Sequence, residues 1–257
     1  MSIHDWTRVD VGIFHHFHQQ WIVAITNILN QRLLPGEYYA LTEQPEGGYE
    51  PDVLALKLGG NAERDDAGPV PSAQKGGGLL VAEPHVRIRA ETDLEYYRRK
   101  QNVVAVRHAS DDELVAIVEV VSKGNKSGRG AFEDFVRKAA GYLSRKIHLL
   151  ILDLQPPTPR DPQGIHGAIW DEIAGEEYAR PLDKPLTLAA YDAGSAIRAF
   201  VEPIAVGDTP IDMPLFLEPG RYVEVPVEET YRIAVEFVPR RWRAVLENPG
   251  GSDSPGR

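Results

Sequence analysis

The stretch that decides the fold is Leu114-Val-Ala-Ile-Val-Glu-Val-Val-Ser122, together with the later run Ile147-His-Leu-Leu-Ile-Leu-Asp-Leu154. Both runs are apolar and rich in β-branched residues, which is typical of buried strands. The residues between them predict a helix over 131–146, because apolar side chains recur there at helical spacing. These apolar residues are Phe132, Phe135, Val136, Ala139 and Leu143. A strand, a helix and a strand in this order predict a crossover between two parallel strands.

The residues before this stretch predict one helix followed by several strands. The helix spans 14–33, where apolar side chains again have helical spacing, and Pro35-Gly36 ends it. The predicted strands are 38–42, 51–58, 86–91 and 102–108. Residues 59–78 are rich in glycine and charge, so we expect a mobile insertion there. Residues 1–155 together predict an α/β core with a mixed central sheet flanked by helices.

The residues after Gln155 predict a different region. The run Pro156-Pro-Thr-Pro159 interrupts the pattern, and proline-punctuated strands follow at 186–191, 197–201, 222–225 and 232–237. We therefore predict a β-rich C-terminal extension over 156–247, packed on the core. Residues 248–257 are mostly Gly, Ser and Pro, which predicts a disordered tail.

Composition excludes some classes of function. The chain has 257 residues and no cysteine, which excludes thiol catalysis and cysteine-ligated metal sites. The net charge of −10 argues against a protein whose whole surface binds nucleic acid, although 123–146 is locally basic. No run is long and apolar enough for a membrane span, and no targeting segment is evident, so we expect a cytoplasmic protein. Assembly as a homo-oligomer is left open.

The loop at 122–130, Ser-Lys-Gly-Asn-Lys-Ser-Gly-Arg-Gly, is a candidate phosphate-binding segment. It is not a Walker A motif, because Val120 stands where the first glycine is required. Its backbone amides and its cations Lys123, Lys126 and Arg129 precede a helix, which favours phosphate binding. A flexible, soluble connection is the alternative meaning of this composition.

The predicted element order α, β, β, β, α, β resembles that of the PD-(D/E)XK restriction-endonuclease-like superfamily. The chain is especially similar to a bacterial family known only as domain-of-unknown-function family 4058. Three segments carry the resemblance: Pro51-Asp52-Val53, Ile117-Val-Glu-Val-Val-Ser122 and the helix and strand from Lys138 to Asp153. The resemblance implies a restriction-endonuclease-like fold and a metal-dependent nuclease that acts on nucleic acid.

The resemblance also implies a site. Asp52 and Glu119 would hold Mg²⁺, and a lysine would assist the attacking water. The lysine expected two residues after Glu119 is replaced by Val121, so the role falls to Lys123 or to Lys138, with Lys138 the better candidate. The strand pattern supports this site in part. Glu119 interrupts an apolar row of its strand, so its carboxylate needs a partner such as a metal ion or a lysine.

Plainer interpretations of the same residues stand beside this one. Glu119 would pair with a lysine such as Lys57, Asp52 would be a turn residue, and Lys138 would form a helix-surface ion pair with Asp134. The protein would then be a catalytically degenerate nuclease-fold protein that acts as a binding or scaffold module. The histidines of the first helix are best explained as packing residues, because no third zinc ligand lies in register.

Overall fold

The structure, a computed structural model, describes residues 1–43 and 103–248. Its helices are α1 Val11–Ile28, α2 Lys123–Lys126, α3 Arg129–Ser144, α4 Gly164–Ala174, α5 Val227–Glu236 and α6 Arg240–Glu247. Its strands are β1 Tyr38–Glu43, β2 Val103–His108, β3 Leu114–Val120, β4 His148–Asp153, β5 Leu186–Ala193, β6 Ile197–Ile204, β7 Met213–Glu218 and β8 Arg221–Val225. A 3-10 turn at Trp6–Arg8 precedes α1, and a π turn at Leu29–Leu33 follows it.

The first six strands form one mixed sheet in the order β1-β2-β3-β4-β5-β6. Neighbours are antiparallel except for β3 and β4, which are parallel and are joined through α2 and α3. The predicted parallel pair with a helical crossover is therefore confirmed. In the described part of the chain the elements through β4 run α, β, β, β, α, β, apart from the short α2 and the 3-10 and π turns.

The sheet is covered on both faces. One face packs against α1, α5 and the β7–β8 hairpin, with Trp6, Phe17, Trp21 and Tyr231 at its centre. The other face packs against α3 and α4. β4 lies in the middle, and all six of its residues are buried. The protein is thus a mixed α/β structure with a central sheet flanked by helices, as predicted.

Local sequence explains where the helices around the crossover begin. Ser122 caps α2: its hydroxyl accepts from the Asn125 amide, while the Asn125 side chain accepts from the Ser122 amide. This capping box turns residues that we predicted as a loop into a short helix, so that prediction is wrong for Lys123–Lys126. The predicted helix at 131–146 is confirmed, with observed bounds two residues earlier.

The C-terminal third differs from the prediction in two ways. The strands predicted at 186–191 and 197–201 are present, but they extend the central sheet as β5 and β6. The strand predicted at 232–237 is wrong, because Val227–Glu236 is the helix α5. Glu228 and Glu229 stand in its first turn, where acidic residues are favourable. Its buried residues have helical spacing: Val227, Thr230, Tyr231, Ala234 and Val235.

Among the described residues, no helix combines the length and the apolar character that a membrane span requires. The predicted strands at 51–58 and 86–91, the predicted insertion at 59–78 and nearly all of the predicted tail lie outside the described residues.

Candidate functional site

Glu119 and Lys138 meet between β3 and α3. The Lys138 ammonium contacts the Glu119 carboxylate directly. The Glu119 side chain is 3% exposed, whereas that of Lys138 is 30% exposed, so the lysine connects a buried carboxylate to the protein surface. The ammonium also lies 5.4 Å from the centre of the Phe135 ring. The structure therefore brings together two of the residues that the sequence analysis assigned to the site.

This contact bears on two of the plainer interpretations: Glu119 does pair with a lysine, here Lys138, whereas the predicted pair of Lys138 with Asp134 is wrong. Asp134 does not pair with Lys138, because the guanidinium of Arg137 holds it at 2.5 Å. Glu119 has its partner within the crossover, since Lys138 lies 19 residues along the chain on the helix that covers β3. Lys57, the partner considered from the sequence, lies outside the described residues.

The surroundings of Glu119 are apolar. Ile151 of β4 lies opposite it, and Ile117 and Val121 belong to the same buried cluster under α3. Val115, which simple alternation puts on this face, packs against the other core, because the pairing of β2 with β3 shifts near Arg107. A carboxylate in such a place depends on Lys138, its cationic neighbour among the described residues.

Asp52, the other predicted metal ligand, lies outside the described residues. In the described residues, β3 pairs with β2 on one side and with β4 on the other, so both sides of the Glu119 strand are occupied without it. Within the described ranges, no three His, Asp or Glu side chains are arranged to hold a metal ion. The described residues thus supply one carboxylate and one lysine for a Mg²⁺ ion that needs one or two carboxylates besides water and phosphate oxygens.

The three cations of the 122–130 segment form contacts in three separate places. The Lys123 ammonium donates to the carbonyl oxygen of Val9 at 3.2 Å. Arg129 is largely exposed and bonds Glu133 one turn along α3, at 2.6 Å. Lys126 is almost completely buried and faces inward. These cations do not converge on one point where a phosphate would bind to all three.

Lys126 forms a buried ion triad with two aspartates. Its ammonium lies 2.7 Å from Asp153, at the end of β4, and 2.9 Å from Asp161 in the following loop. It also donates to the carbonyl oxygen of Gln155 at 3.0 Å. Burial favours the neutral amine, but the two carboxylates outweigh it and raise the pKa of Lys126. Burial also raises the pKa of Asp153.

The triad joins the C-terminal ends of the two parallel strands. Lys126 follows β3, Asp153 ends β4, and the Asp161 side chain accepts from the amide and hydroxyl of Thr158. The sequence does not reveal this role, since a lysine among Gly, Ser and Asn is usually a solvated residue. The one available signal is Asp153 itself, a carboxylate at the end of a continuous apolar strand.

A cleft of about 830 Å³ lies between α3 and α4. Its walls come from both helices, from the loop that carries Asp161 and from the segment around Tyr178. Charged residues of both signs line it: Glu133, Arg137, Arg160, Asp171, Glu172 and Glu177. Neither Glu119 nor Lys138 lines it, so the cleft and the Glu119–Lys138 pair are separate features that share α3.

A buried histidine–tyrosine pair lies beneath α4. The Tyr191 hydroxyl is 2.7 Å from Nδ1 of His166, and the His166 ring packs edge-on against Tyr178, 4.6 Å between centroids. Burial lowers the pKa of His166 to about 4 and raises that of Tyr191. At neutral pH the uncharged His166 ring therefore accepts a hydrogen bond from the Tyr191 hydroxyl.

Of the histidines of α1, His18 is buried and packs as predicted, whereas His15 and His16 are exposed. Nε2 of His18 lies 2.9 Å from the carbonyl oxygen of Val120, and burial lowers the pKa of His18 to about 4. Nδ1 of His4 lies 2.7 Å from the Tyr231 hydroxyl. Asp5 caps the 3-10 turn that begins at Trp6, and Trp6 is buried. His4 and Trp6 anchor the N-terminus, because both bond the Tyr231 hydroxyl of α5 and Trp6 also stacks on Phe17 of α1.

No family model matches the sequence, and neither the curated proteins nor the solved structures include a detectable relative.

Proposed function

We propose that the protein is a Mg²⁺-dependent phosphodiesterase of restriction-endonuclease-like type that acts on nucleic acid in the cytoplasm. The contact between Lys138 and Glu119 carries the proposal. A lysine beside an acidic residue on the third strand of an α, β, β, β, α, β arrangement is the combination that the sequence resemblance implies. An ion pair along the surface of one helix does not explain this contact, because Lys138 of α3 binds a carboxylate on a different element, β3.

Each residue has a chemical role under this proposal. Glu119 and Asp52 would hold the metal, which when bound lowers the pKa of a coordinated water and neutralises phosphoryl charge. Lys138 would orient the attacking water or hold a phosphate oxygen, because its ammonium is both partly exposed and fixed beside Glu119. Lys123 is the second candidate for this role, because its ammonium already donates to the Val9 carbonyl oxygen.

Nucleic acid would contact the basic segment 123–146. This segment carries seven Lys and Arg residues against Glu133 and Asp134, whereas the whole chain has a net charge of −10. Arg129 and Arg137 are exposed on α3 near its carboxylates. DNA phosphates would replace Glu133 and Asp134 as the partners of these two arginines. The affinity for DNA should therefore fall steeply with added salt.

The test compares cleavage of plasmid and single-stranded DNA in Mg²⁺ or Mn²⁺ by wild type, Glu119→Gln, Lys138→Met and Asp52→Ala. Loss of either side chain of the contact should lower the cleavage rate by about 100-fold or more. Arg232→Ala is the control, because Arg232 lies on α5, outside the basic segment, and pairs with Glu236 on the surface. Equal rates in wild type and Glu119→Gln, with both folded by circular dichroism, would exclude this site.

A second candidate, a nuclease-fold module that binds without cleaving, has one observation in its favour. The charge of Glu119 is already compensated by Lys138, and its side chain is almost inaccessible. Under this alternative, the protein would retard labelled DNA in a gel, would not cleave it with either metal, and would bind equally after Glu119→Gln. Cleavage that depends on Glu119 would exclude it.

A further inference from the structure

β6 is an edge of the central sheet. In the part of the chain that the structure describes, β5 is its only sheet partner, and the outer side of β6 carries no strand. Most of its residues are exposed or half-buried, and Phe200 is 42% exposed. Natural edge strands are often protected by proline, and in β6 the proline stands near the end of the strand, at Pro203, which leaves 197–201 able to pair.

The proline in β6 indicates which backbone groups point outward. Pro203 lies opposite Thr187 of β5 and has no amide hydrogen. Proline is tolerated in edge strands where the missing donor faces away from the sheet. The outward-facing positions are then Ile197, Ala199, Val201 and Pro203, while the even-numbered positions bond to β5.

The side chains of β6 complement a second, antiparallel copy of the same strand. Arg198, Phe200 and Glu202 share one face, because alternate residues of a strand do. If two β6 strands pair about a two-fold axis at Phe200, then Arg198 lies opposite Glu202 of the second copy, twice. The two phenylalanines meet on the axis. Cross-strand pairs of opposite charge and of aromatic rings are the ones that stabilise antiparallel sheets.

Two neighbouring registers are less favourable. Centring the pair on Arg198 or on Glu202 places like charges directly opposite each other. The register about Phe200 also uses the outward backbone groups: Ala199 and Val201 exchange both hydrogen bonds with their counterparts, and Ile197 donates to the carbonyl of Pro203. The proline therefore removes donors only at the two ends of the paired segment.

Arg198 and Glu202 can form these cross-strand ion pairs. Arg198 is 57% exposed and contacts Asp192 through one terminal nitrogen, so its other N–H groups remain available. The cation that acts on Glu202 is Lys184, which bonds Asp208 at 2.6 Å. Glu202 forms no ion pair with any described residue.

We propose that the protein is a homodimer in which the two β6 strands pair antiparallel about Phe200 and join the two central sheets into one. The proposal is independent of the proposed function, because the Glu119–Lys138 pair lies on β3 and α3. Light scattering after size exclusion should give twice the 28.5 kDa of the chain.

A cysteine at the axis tests the register. The chain has no cysteine, so Phe200→Cys introduces one thiol per copy. In a pair without mutual backbone bonds the two Cα atoms are about 4.5 Å apart, within the range for a disulfide. Phe200→Cys should therefore form a covalent dimer with oxidised glutathione. Glu202→Cys, on the same edge but facing Arg198, and Tyr222→Cys, exposed on β8, should not.

Two further variants separate dimer loss from unfolding. Val201→Pro removes an outward donor and should give a monomer. Glu202→Arg sets two arginines opposite each other and should weaken dimerisation about 10-fold or more, whereas Glu224→Arg on β8 should not. A monomeric wild type, or Phe200→Cys that cross-links no faster than the two cysteine controls, would overturn the proposal. So would a dimer unaffected by either Val201→Pro or Glu202→Arg.

Discussion

The ammonium of Lys126 lies 2.7 Å from the carboxylate of Asp153, and almost no water reaches either group. The pair, with Asp161, ties the end of β3 to the end of β4 and to the loop that borders the cleft. Buried charges are tolerated only while each has a partner.

Replacing Lys126 with Met should destabilise the protein strongly. The change leaves Asp153 and Asp161 buried without a cation, and such a loss typically lowers the free energy of unfolding by about 3–5 kcal/mol. Urea denaturation followed by circular dichroism measures it. Adding Asp153→Asn should recover part of the loss. Arg129→Ala, which breaks an exposed pair on the next helix, should cost no more than about 0.5 kcal/mol. Similar effects for both lysine and arginine variants would contradict the prediction.

A double-mutant cycle should show that Glu119 and Lys138 are coupled. Lys138→Met leaves Glu119 buried and unpaired and should lower the free energy of unfolding by about 2 kcal/mol, less than for a fully buried pair because Lys138 is partly exposed. In a Glu119→Gln background the same change should cost less, with a coupling of roughly 1–3 kcal/mol. Additive effects of the two substitutions would show that the contact does not stabilise the protein.

Acid should weaken the fold through His18 and His166. Burial lowers the pKa of each to about 4, whereas an unfolded histidine titrates near 6.5. Below pH 6.5 the unfolded chain therefore binds protons that the native state does not, so stability falls as the pH drops towards 4. Each histidine contributes up to about 1.4 kcal/mol per pH unit in that window.

His18→Gln isolates one of these contributions. The glutamine amide can still donate to the Val120 carbonyl oxygen but does not titrate. Urea denaturation at pH 7 and pH 5 should therefore show a smaller acid-induced loss in the variant than in wild type. An equal acid-induced loss in the variant and in wild type would mean that His18 binds protons equally in the folded and unfolded chains.

Removing the hydroxyl of Tyr231 should loosen the N-terminus. That oxygen accepts from the backbone amide of His4 at 3.0 Å and from the indole nitrogen of Trp6 at 3.2 Å. Tyr231→Phe leaves both donors without this acceptor, and each unsatisfied buried donor costs about 1–3 kcal/mol. The variant should unfold at lower urea and lose its first residues to limited proteolysis sooner. Val23→Ala, an exposed change on α1, is the control.

The elements that depend on short-range periodicity were predictable. The apolar repeat at Phe132, Phe135, Val136, Ala139 and Leu143 determines which face of α3 is buried. β3 and β4 were predicted because continuous apolar runs fit a strand that is covered on both faces. The partnership of Glu119 with Lys138 follows in part, since an acidic residue in an apolar row demands a cation nearby.

The errors came from signals that compete locally. In α5 the short apolar run Ile233-Ala-Val235 imitates a strand, although the wider spacing of buried residues is helical. α4 was missed beside prolines, even though Gly175 ends it in the left-handed conformation that favours glycine. No local pattern reveals that Lys126 faces inward, because its partners lie 27 and 35 residues further along the chain.

The central position of β4 has a consequence for how the chain must be made. All six residues of this strand are buried, and the partner on one of its sides, β5, begins only at Leu186. A nascent or proteolysed chain that stops at Gln155 would expose an apolar strand with unsatisfied backbone groups along one whole side. Such a fragment should aggregate rather than fold. The middle of the protein is therefore completed late in synthesis, when residues beyond Ala193 have left the ribosome.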